Sequence, residues 1–96
     1  MIVVIAHVRA KSGHEVPFEG VLRALVPPTR AEAGCIQYDL HQSSEDPCAF
    51  AFYERWASPE ALDEHMKTPH IATAFAALPE HADGAPSIVV YSLLDA

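Results

Sequence analysis

The stretch IVVIAHVRA, residues 2 to 10, is a β-branched apolar run that ends at the turn signal KSG. Such a run predicts a β-strand, along which alternate side chains point to opposite faces of a sheet. The two faces would be formed by Ile2, Val4, Ala6 and Val8, and by Val3, Ile5, His7 and Arg9. Because both faces are largely apolar, both need to be covered. The fold must therefore place this strand within a sheet and supply packing partners on each side of it.

A helix follows this strand. One apolar stripe at helical spacing is formed by Phe18, Val21, Leu22, Leu25 and Val26. We expect the helix to begin near His14 or Glu15 and to end at Val26, because Pro27-Pro28 disfavours helix in the residue before it. The segment PPTRAEAG then adds a short further turn.

The next two segments, CIQYDLHQS and CAFAFYERW, alternate around the turn SEDP and predict a hairpin of long strands. Ser58 is a suitable N-cap and Pro59 suits the first position of a following helix. Thr68-Pro69 repeats this pattern, so the helical region is expected in two pieces, the second ending at Pro79. The run SIVVYSLL predicts a final strand.

The resulting order, β-α-β-β-α-β, is that of an α+β ferredoxin-like fold, and residues 1–96 are expected to form a single domain. Helices on one side of such a sheet leave its other side bare. Since both faces of the first strand are apolar, we expect a second copy of the chain to cover the bare side. The sequence therefore predicts a homodimer in which two sheets pack against each other.

Composition narrows the choice of partner. The chain has 13 acidic and 6 basic residues, a net charge of −7 and no cluster of Lys or Arg. This disfavours nucleic acids and anionic membranes as partners. No segment approaches the about 20 apolar residues that cross a bilayer, and MIVVIA is too short for a signal-peptide core, so the cytoplasm is the expected location. Cys35 and Cys48 would lie far apart on neighbouring strands and are expected to be reduced thiols.

Three titratable side chains are candidates for catalysis: His65, His7 and Glu54. His65 shares the inner face of the second helical region with Leu62, and Glu54 lies on a strand face with aromatic residues. Convergence of the three in an aromatic shell of Phe52, Trp56 and Phe75 would shift their pKa values towards neutrality, where proton transfer is efficient. In the alternative interpretation, His65 is a structural core histidine, and Glu54 faces solvent or pairs with Arg9 or Arg55.

The segment HMKTPHIATAF raises the question of a metal site, because it holds His65 and His70. Helical ligand pairs are spaced three or four residues apart, as in HExxH. Here the spacing is five, a helix break intervenes, and no Cys or carboxylate stands at a usual zinc spacing. We therefore predict no metal site, with His65 available for chemistry and His70 in the hinge between the two helical pieces.

Residues 25 to 75, from LVPPTRAEAGCIQYDL through FYERW to HMKTPHIATAF, closely resemble the antibiotic biosynthesis monooxygenase domain, in particular its quinol monooxygenase type. With MIVVIAHVRAKSGHE at the front, the likeness extends over nearly the whole chain. The resemblance implies a dimeric α/β barrel with one pocket per subunit between sheet and helices. It also implies oxidation of phenols, anthrones or quinols by O₂ with no cofactor. The substrate-binding wall would be formed by Trp56, Phe52, Leu62 and Phe75.

Two departures from the family pattern bear on function. Relatives that degrade haem carry an Asn on the first strand, and a Trp and a haem-ligating His on the last helical segment. The matching positions here are His7, His65 and Phe75, so haem degradation is not expected. Polyketide-type members carry a pocket Asn four residues before the Trp, where this chain has Phe52.

The function predicted from the sequence is a cofactor-independent monooxygenase that oxidises a small quinol or phenol with O₂. His65 would act as general base, assisted by His7 and Glu54. Two alternatives stay open: an isomerase of a small sugar-like metabolite that uses the same histidines, and a ligand-binding module without turnover. An isomerase of a phosphorylated substrate would need a cationic group in the pocket, and only Arg9 is expected nearby.

Overall fold

The structure is a computed structural model that describes residues 1–95 of the chain. The chain forms four strands and four helices. In chain order they are β1 (Ile2–Arg9), α1 (Glu15–Arg23), α2 (Val26–Arg30), β2 (Cys35–Gln42), β3 (Ala49–Trp56), α3 (Pro59–Met66), α4 (Pro69–His81) and β4 (Ser87–Ser92). The α+β ferredoxin-like order predicted from the sequence is confirmed.

The strands form one antiparallel sheet in the order β2-β3-β1-β4. Residues directly opposite each other in neighbouring strands share a face. The register pairs Val4 with Glu54 and Ala6 with Phe52, so one face carries these side chains together. The helices cover this inner face, and the buried core lies between the two layers.

The first helical region differs from the prediction of one helix ending at Val26. Helix α1 ends at Arg23, and the separate helix α2 begins at Val26 with Pro27-Pro28 inside its first turn. Proline is tolerated there because the first turn of a helix does not use its N–H groups. The prolines thus start a helix rather than end one.

The second helical region is divided as predicted. The hydroxyl oxygen of Ser58 accepts a hydrogen bond from Ala61 N–H at the start of α3, and that of Thr68 accepts from Ile71 N–H at the start of α4. These two N-caps hold short helices that would be marginal alone.

Helix α4 continues past Pro79 to His81, so the predicted end at Pro79 is wrong. The hydrogen bond lost at proline is offset by outside partners of the last turn. The Lys11 ammonium donates to the Pro79 carbonyl at 2.9 Å, and Lys11 N–H donates to the His81 carbonyl at 2.8 Å.

Strand β4 lies at the edge of the sheet, and every residue in it is exposed. Its apolar side chains are Ile88, Val89, Val90 and Tyr91, with exposed fractions between 41% and 53%. Val89 and Tyr91 pair with Ile5 and Val3, and so belong to the outer face that the helices leave bare.

Within residues 1–95, none of the helices is both long and apolar enough to cross a membrane. Cys35 and Cys48 are free thiols, as predicted.

Candidate active site

A cavity of about 70 Å³ lies between the inner face of the sheet and helices α1, α3 and α4. Among the described residues that line it, three carry polar side chains: Tyr38, Glu54 and His65. The rest of the lining is aliphatic or aromatic. An apolar lining with a few converging polar groups is typical of small-molecule sites, although most of these are larger, about 300–1,000 Å³.

Glu54 is an almost fully buried carboxyl group, with 5% of its surface exposed. Burial disfavours the charged form and raises the pKa of Glu54 from 4.5 to about 7. The indole Nε1–H of Trp56 donates to Glu54 Oε1 at 3.0 Å and partly opposes this rise, because it stabilises the carboxylate. The Glu54 carboxyl therefore exchanges its proton near neutral pH, where it can act as acid or base.

His65 is buried against two neighbouring aromatic rings. Its ring centroid lies 4.6 Å from that of Trp56 and 5.6 Å from that of Tyr38, and only 2% of the residue is exposed. Burial lowers the pKa of His65, while the neighbouring Glu32 works in the opposite direction. A mainly neutral imidazole near pH 7 can accept a proton.

Glu32 fixes the orientation of the His65 ring. Nδ1 of His65 lies 2.8 Å from Oε2 of Glu32. With Glu32 ionised, Nδ1–H donates to the carboxylate and Nε2 carries the lone pair. The nitrogen at the opposite edge of the ring is thus available to a ligand in the cavity that His65 lines.

His70 reaches the same carboxylate. Its Nε2 lies 2.7 Å from Oε2 of Glu32, so one oxygen binds both histidines. The sequence-based expectation that the helix break separates His65 from His70 is wrong. Thr68 caps α4 and also donates its hydroxyl to the His65 carbonyl at 2.7 Å, and this tight turn brings the two rings together.

The four residues predicted to bind substrate fall into two groups. Phe52, Leu62 and Phe75 line the cavity, as expected for a substrate-binding wall. Trp56 is fully buried behind it, where it supports Glu54 and His65 rather than forming the wall.

The predicted convergence of His7 with Glu54 and His65 is wrong. His7 is exposed and pairs with Ala51 on the outer face of the sheet, whereas its neighbour Ala6 pairs with Phe52 on the inner face. The alternation along β1 had already separated His7 from Val4 and Ala6, so the strand pattern was a better guide than residue chemistry.

Sequence reasoning missed Tyr38 and Glu32. Tyr38 lies directly opposite Glu54 in the register of β2 and β3, and the alternation along the predicted hairpin could have identified it. Burial raises the pKa of the Tyr38 hydroxyl, which stays protonated and can donate a hydrogen bond. Glu32 follows α2, 33 positions before His65, and carries no local signal of its role.

Comparison with known proteins agrees with this architecture. PA3566 from Pseudomonas aeruginosa superposes with a TM-score of 0.93 at 37% sequence identity, covering 98% of this chain and 94% of that one. "Putative monooxygenase Rv0793" from Mycobacterium tuberculosis is 34% identical over 94 residues, which cover 98% of this chain and 92% of that protein. Its solved structure superposes with a TM-score of 0.92.

A third relative, sll1783 from Synechocystis sp., is 32% identical over 69 residues, or 72% of this chain. The chain spans about half of the length of sll1783, 47%. Residues 1–77 match the antibiotic biosynthesis monooxygenase family. The sequence motifs, the ferredoxin-like sheet and the relatives agree, and the chain belongs to the antibiotic biosynthesis monooxygenase family.

Proposed function

We propose that the chain is a cofactor-independent monooxygenase that oxidises a small quinol or phenol with O₂. The observation that carries this proposal is that Glu54 and His65 both line an apolar, aromatic-walled cavity. Such a cavity binds an aromatic ring and desolvates its hydroxyl group, while His65 and Glu54 supply proton transfer.

The substrate itself can supply the electrons. A quinol that loses a hydroxyl proton becomes an electron-rich quinolate, which can transfer one electron to O₂. Recombination of the resulting superoxide with the ring radical forms a carbon–oxygen bond, and loss of water leaves a hydroxyquinone. Quinol and O₂ thus give hydroxyquinone and water, with four electrons passing to O₂ and one of its oxygens kept in the product.

Each polar group has a role in this scheme. Nε2 of His65 accepts the hydroxyl proton, and Glu32 is a positioning residue that holds the ring in the required tautomer. The protonated carboxyl of Glu54 supplies a proton to the departing oxygen. The Tyr38 hydroxyl donates a hydrogen bond to the bound ring oxygen.

An isomerase of a phosphorylated metabolite is less well supported. Among the described residues that line the cavity there is no Lys or Arg. Arg9, the one candidate from the sequence, is half-exposed and forms an ion pair with Asp46 at 2.7 Å. The cavity thus offers no cationic partner for a phosphate group.

Oxygen uptake with a panel of reduced quinones and phenols tests the function. We expect wild type to consume O₂ above the uncatalysed rate with at least one member, and His65→Gln to lose about a hundredfold or more in kcat, the range for a general base. His41→Ala is the matched control, because His41 is exposed on β2 and pairs with Ala51. If wild type and His65→Gln both match the uncatalysed rate over the whole panel, the oxygenase proposal is wrong.

We also propose that the working form is a homodimer. The outer face of the sheet and both faces of β4 present apolar side chains to solvent, including Val89 and Tyr91. Exposed apolar side chains grouped on one edge strand are typical of an interface. Ile88 of β4 also lies at the cavity, beside the half-exposed Phe75, so a second copy on this edge would help to close the site.

A further inference from the structure

Besides orienting the proposed base, Glu32, His65 and His70 bring together side-chain atoms of the types that bind metal ions. Its three ligand-type atoms, Nδ1 of His65, Nε2 of His70 and a carboxylate oxygen of Glu32, all lie within 4.8 Å of one another. Two imidazole nitrogens and one carboxylate oxygen form a common ligand set for Zn²⁺ and other late divalent metals.

These donors come from three separate parts of the chain. Glu32 follows α2, His65 lies in α3, and His70 is the second residue of α4. The His65 ring packs against Trp56 at a tilt of 37°, and the Thr68 cap fixes the start of α4 just before His70. Ligands held by their surroundings before the ion arrives bind it more tightly.

The site is partly open to solvent through two of its three side chains. The side chains of His70 and Glu32 are 20% and 14% exposed, whereas that of His65 is 3% exposed. An ion could therefore enter past His70, and a water molecule could take the fourth position that catalytic and exchangeable zinc sites leave open.

We propose that Glu32, His65 and His70 form a binding site for a divalent transition-metal ion, with Zn²⁺ as the probe. In the metal-free state two N–H groups share one carboxylate oxygen, at 2.7 and 2.8 Å. The ion takes the place of these two protons, which pass through water to the opposite ring nitrogens, so that both imidazoles stay neutral. Ligands about 2.1 Å from a tetrahedral ion stand roughly 3.4 Å apart, so the carboxylate moves back by about 0.6–0.7 Å.

The metal site and the proposed base exclude each other. A neutral imidazole that binds metal through Nδ1 carries its proton on Nε2. That nitrogen then cannot accept a proton from substrate, so the loaded protein is inactive as a His65-dependent oxygenase. This consequence rests on the proposed function, whereas binding of the ion does not.

Calorimetric titration of the untagged, chelator-treated chain with Zn²⁺ tests the site directly. We expect one ion per chain, with at least a tenfold weaker affinity in Glu32→Gln and His70→Ala. His41→Ala is the matched control for loss of an exposed histidine and is expected to bind as wild type does. The Co²⁺-loaded chain should show visible d–d absorption that His70→Ala abolishes.

Thermal unfolding separates metal binding from misfolding of a variant. Zn²⁺ should raise the Tm of wild type and of His41→Ala, and leave that of a folded His70→Ala unchanged. Absence of binding at millimolar Zn²⁺ overturns the site. So does binding that survives in His70→Ala but is lost in His14→Ala, since His14 and His81 form the other histidine pair, with Nδ1 atoms 3.1 Å apart. Binding without any oxygen uptake supports the site and counts against the oxygenase alone.

Discussion

Glu54 is a carboxyl group buried among aromatic and aliphatic side chains, and it accepts a hydrogen bond from the indole N–H of Trp56. Burying an ionisable carboxyl group lowers the stability of the fold when the group is charged. The same burial raises the pKa of the group towards neutrality, where proton transfer is useful for catalysis. The folded chain retains the Glu54 proton between pH 4.5 and about 7, where the unfolded chain has released it. Unfolding then releases a proton, so stability falls as the pH rises through this window.

The first prediction concerns Glu54→Gln. Glutamine keeps an oxygen that can accept from Trp56 but has no charge to bury. The shift from 4.5 to about 7 corresponds to about 3 kcal/mol of unfolding free energy, most of which wild type loses between pH 5 and 8 and the variant does not. Urea unfolding at pH 5, 6, 7 and 8 measures the difference. If the difference in unfolding free energy between wild type and variant does not change with pH, the burial of Glu54 is contradicted.

The second prediction concerns Trp56→Phe. Phenylalanine keeps much of the packing but removes the N–H that stabilises the Glu54 carboxylate. The pKa of Glu54 should therefore rise further, above about 7. Carboxyl-carbon NMR titration of Glu54 measures it. Tyr53→Phe is the control, because Tyr53 adjoins Glu54 in β3 but pairs with Ile5 on the other face and should leave the titration unchanged.

At the scale of secondary-structure elements, the sequence predicted most of the architecture because local signals determine it. Strand alternation and the Ser58 and Thr68 caps need only neighbouring residues. Two of the errors arose where distant partners intervene. Helix α4 continues past Pro79 because Lys11, far along the chain, bonds its last turn. Glu32 joins His65 and His70 only after three elements have packed, and no spacing rule in the sequence could reveal that contact.

The connection between α2 and β2 gives a prediction at this scale. Gly34 has φ +86°, and a Cβ there would stand 2.6 Å from the Cβ of Ala61 in α3. Its carbonyl also accepts from Ala57 N–H at 2.8 Å, so the backbone cannot easily move away. Gly34→Ala should lower the unfolding free energy by about 2 kcal/mol or more, combining the left-handed backbone with the overlap.

Gly20→Ala is the matched control for Gly34→Ala. Gly20 lies inside α1, and a Cβ there would meet no atom within 4 Å. Alanine is the better helix former, so this variant should be more stable than wild type by about 0.5–1 kcal/mol. In urea unfolding, we expect Gly34→Ala to lower the unfolding free energy and Gly20→Ala to raise it. Equal effects would mean that the turn at Gly34 does not have the described geometry.

At the scale of the whole molecule, the sheet has one face covered by helices and one face bare. The bare face and β4 hold the largest exposed apolar side chains of the sheet, and a free apolar edge strand invites association. Ile88 lies on the opposite, inner face of β4, at the cavity. A partner in the proposed dimer would therefore have to extend around the β4 edge in order to link assembly to the site through Ile88.

The last prediction tests this assembly with Tyr91→Glu. Wild type at micromolar concentration should show twice the 10.4 kDa mass of one chain by analytical ultracentrifugation. Tyr91 is 47% exposed and lies opposite Val3 on the bare face. An unpaired carboxylate buried there costs about 3 kcal/mol or more, which weakens the dimer over a hundredfold and gives the monomer mass. Ala76→Glu adds the same charge to an exposed position of α4 and should remain dimeric. A monomeric wild type, or a dimer that Tyr91→Glu leaves intact, would show that the bare face is not the interface.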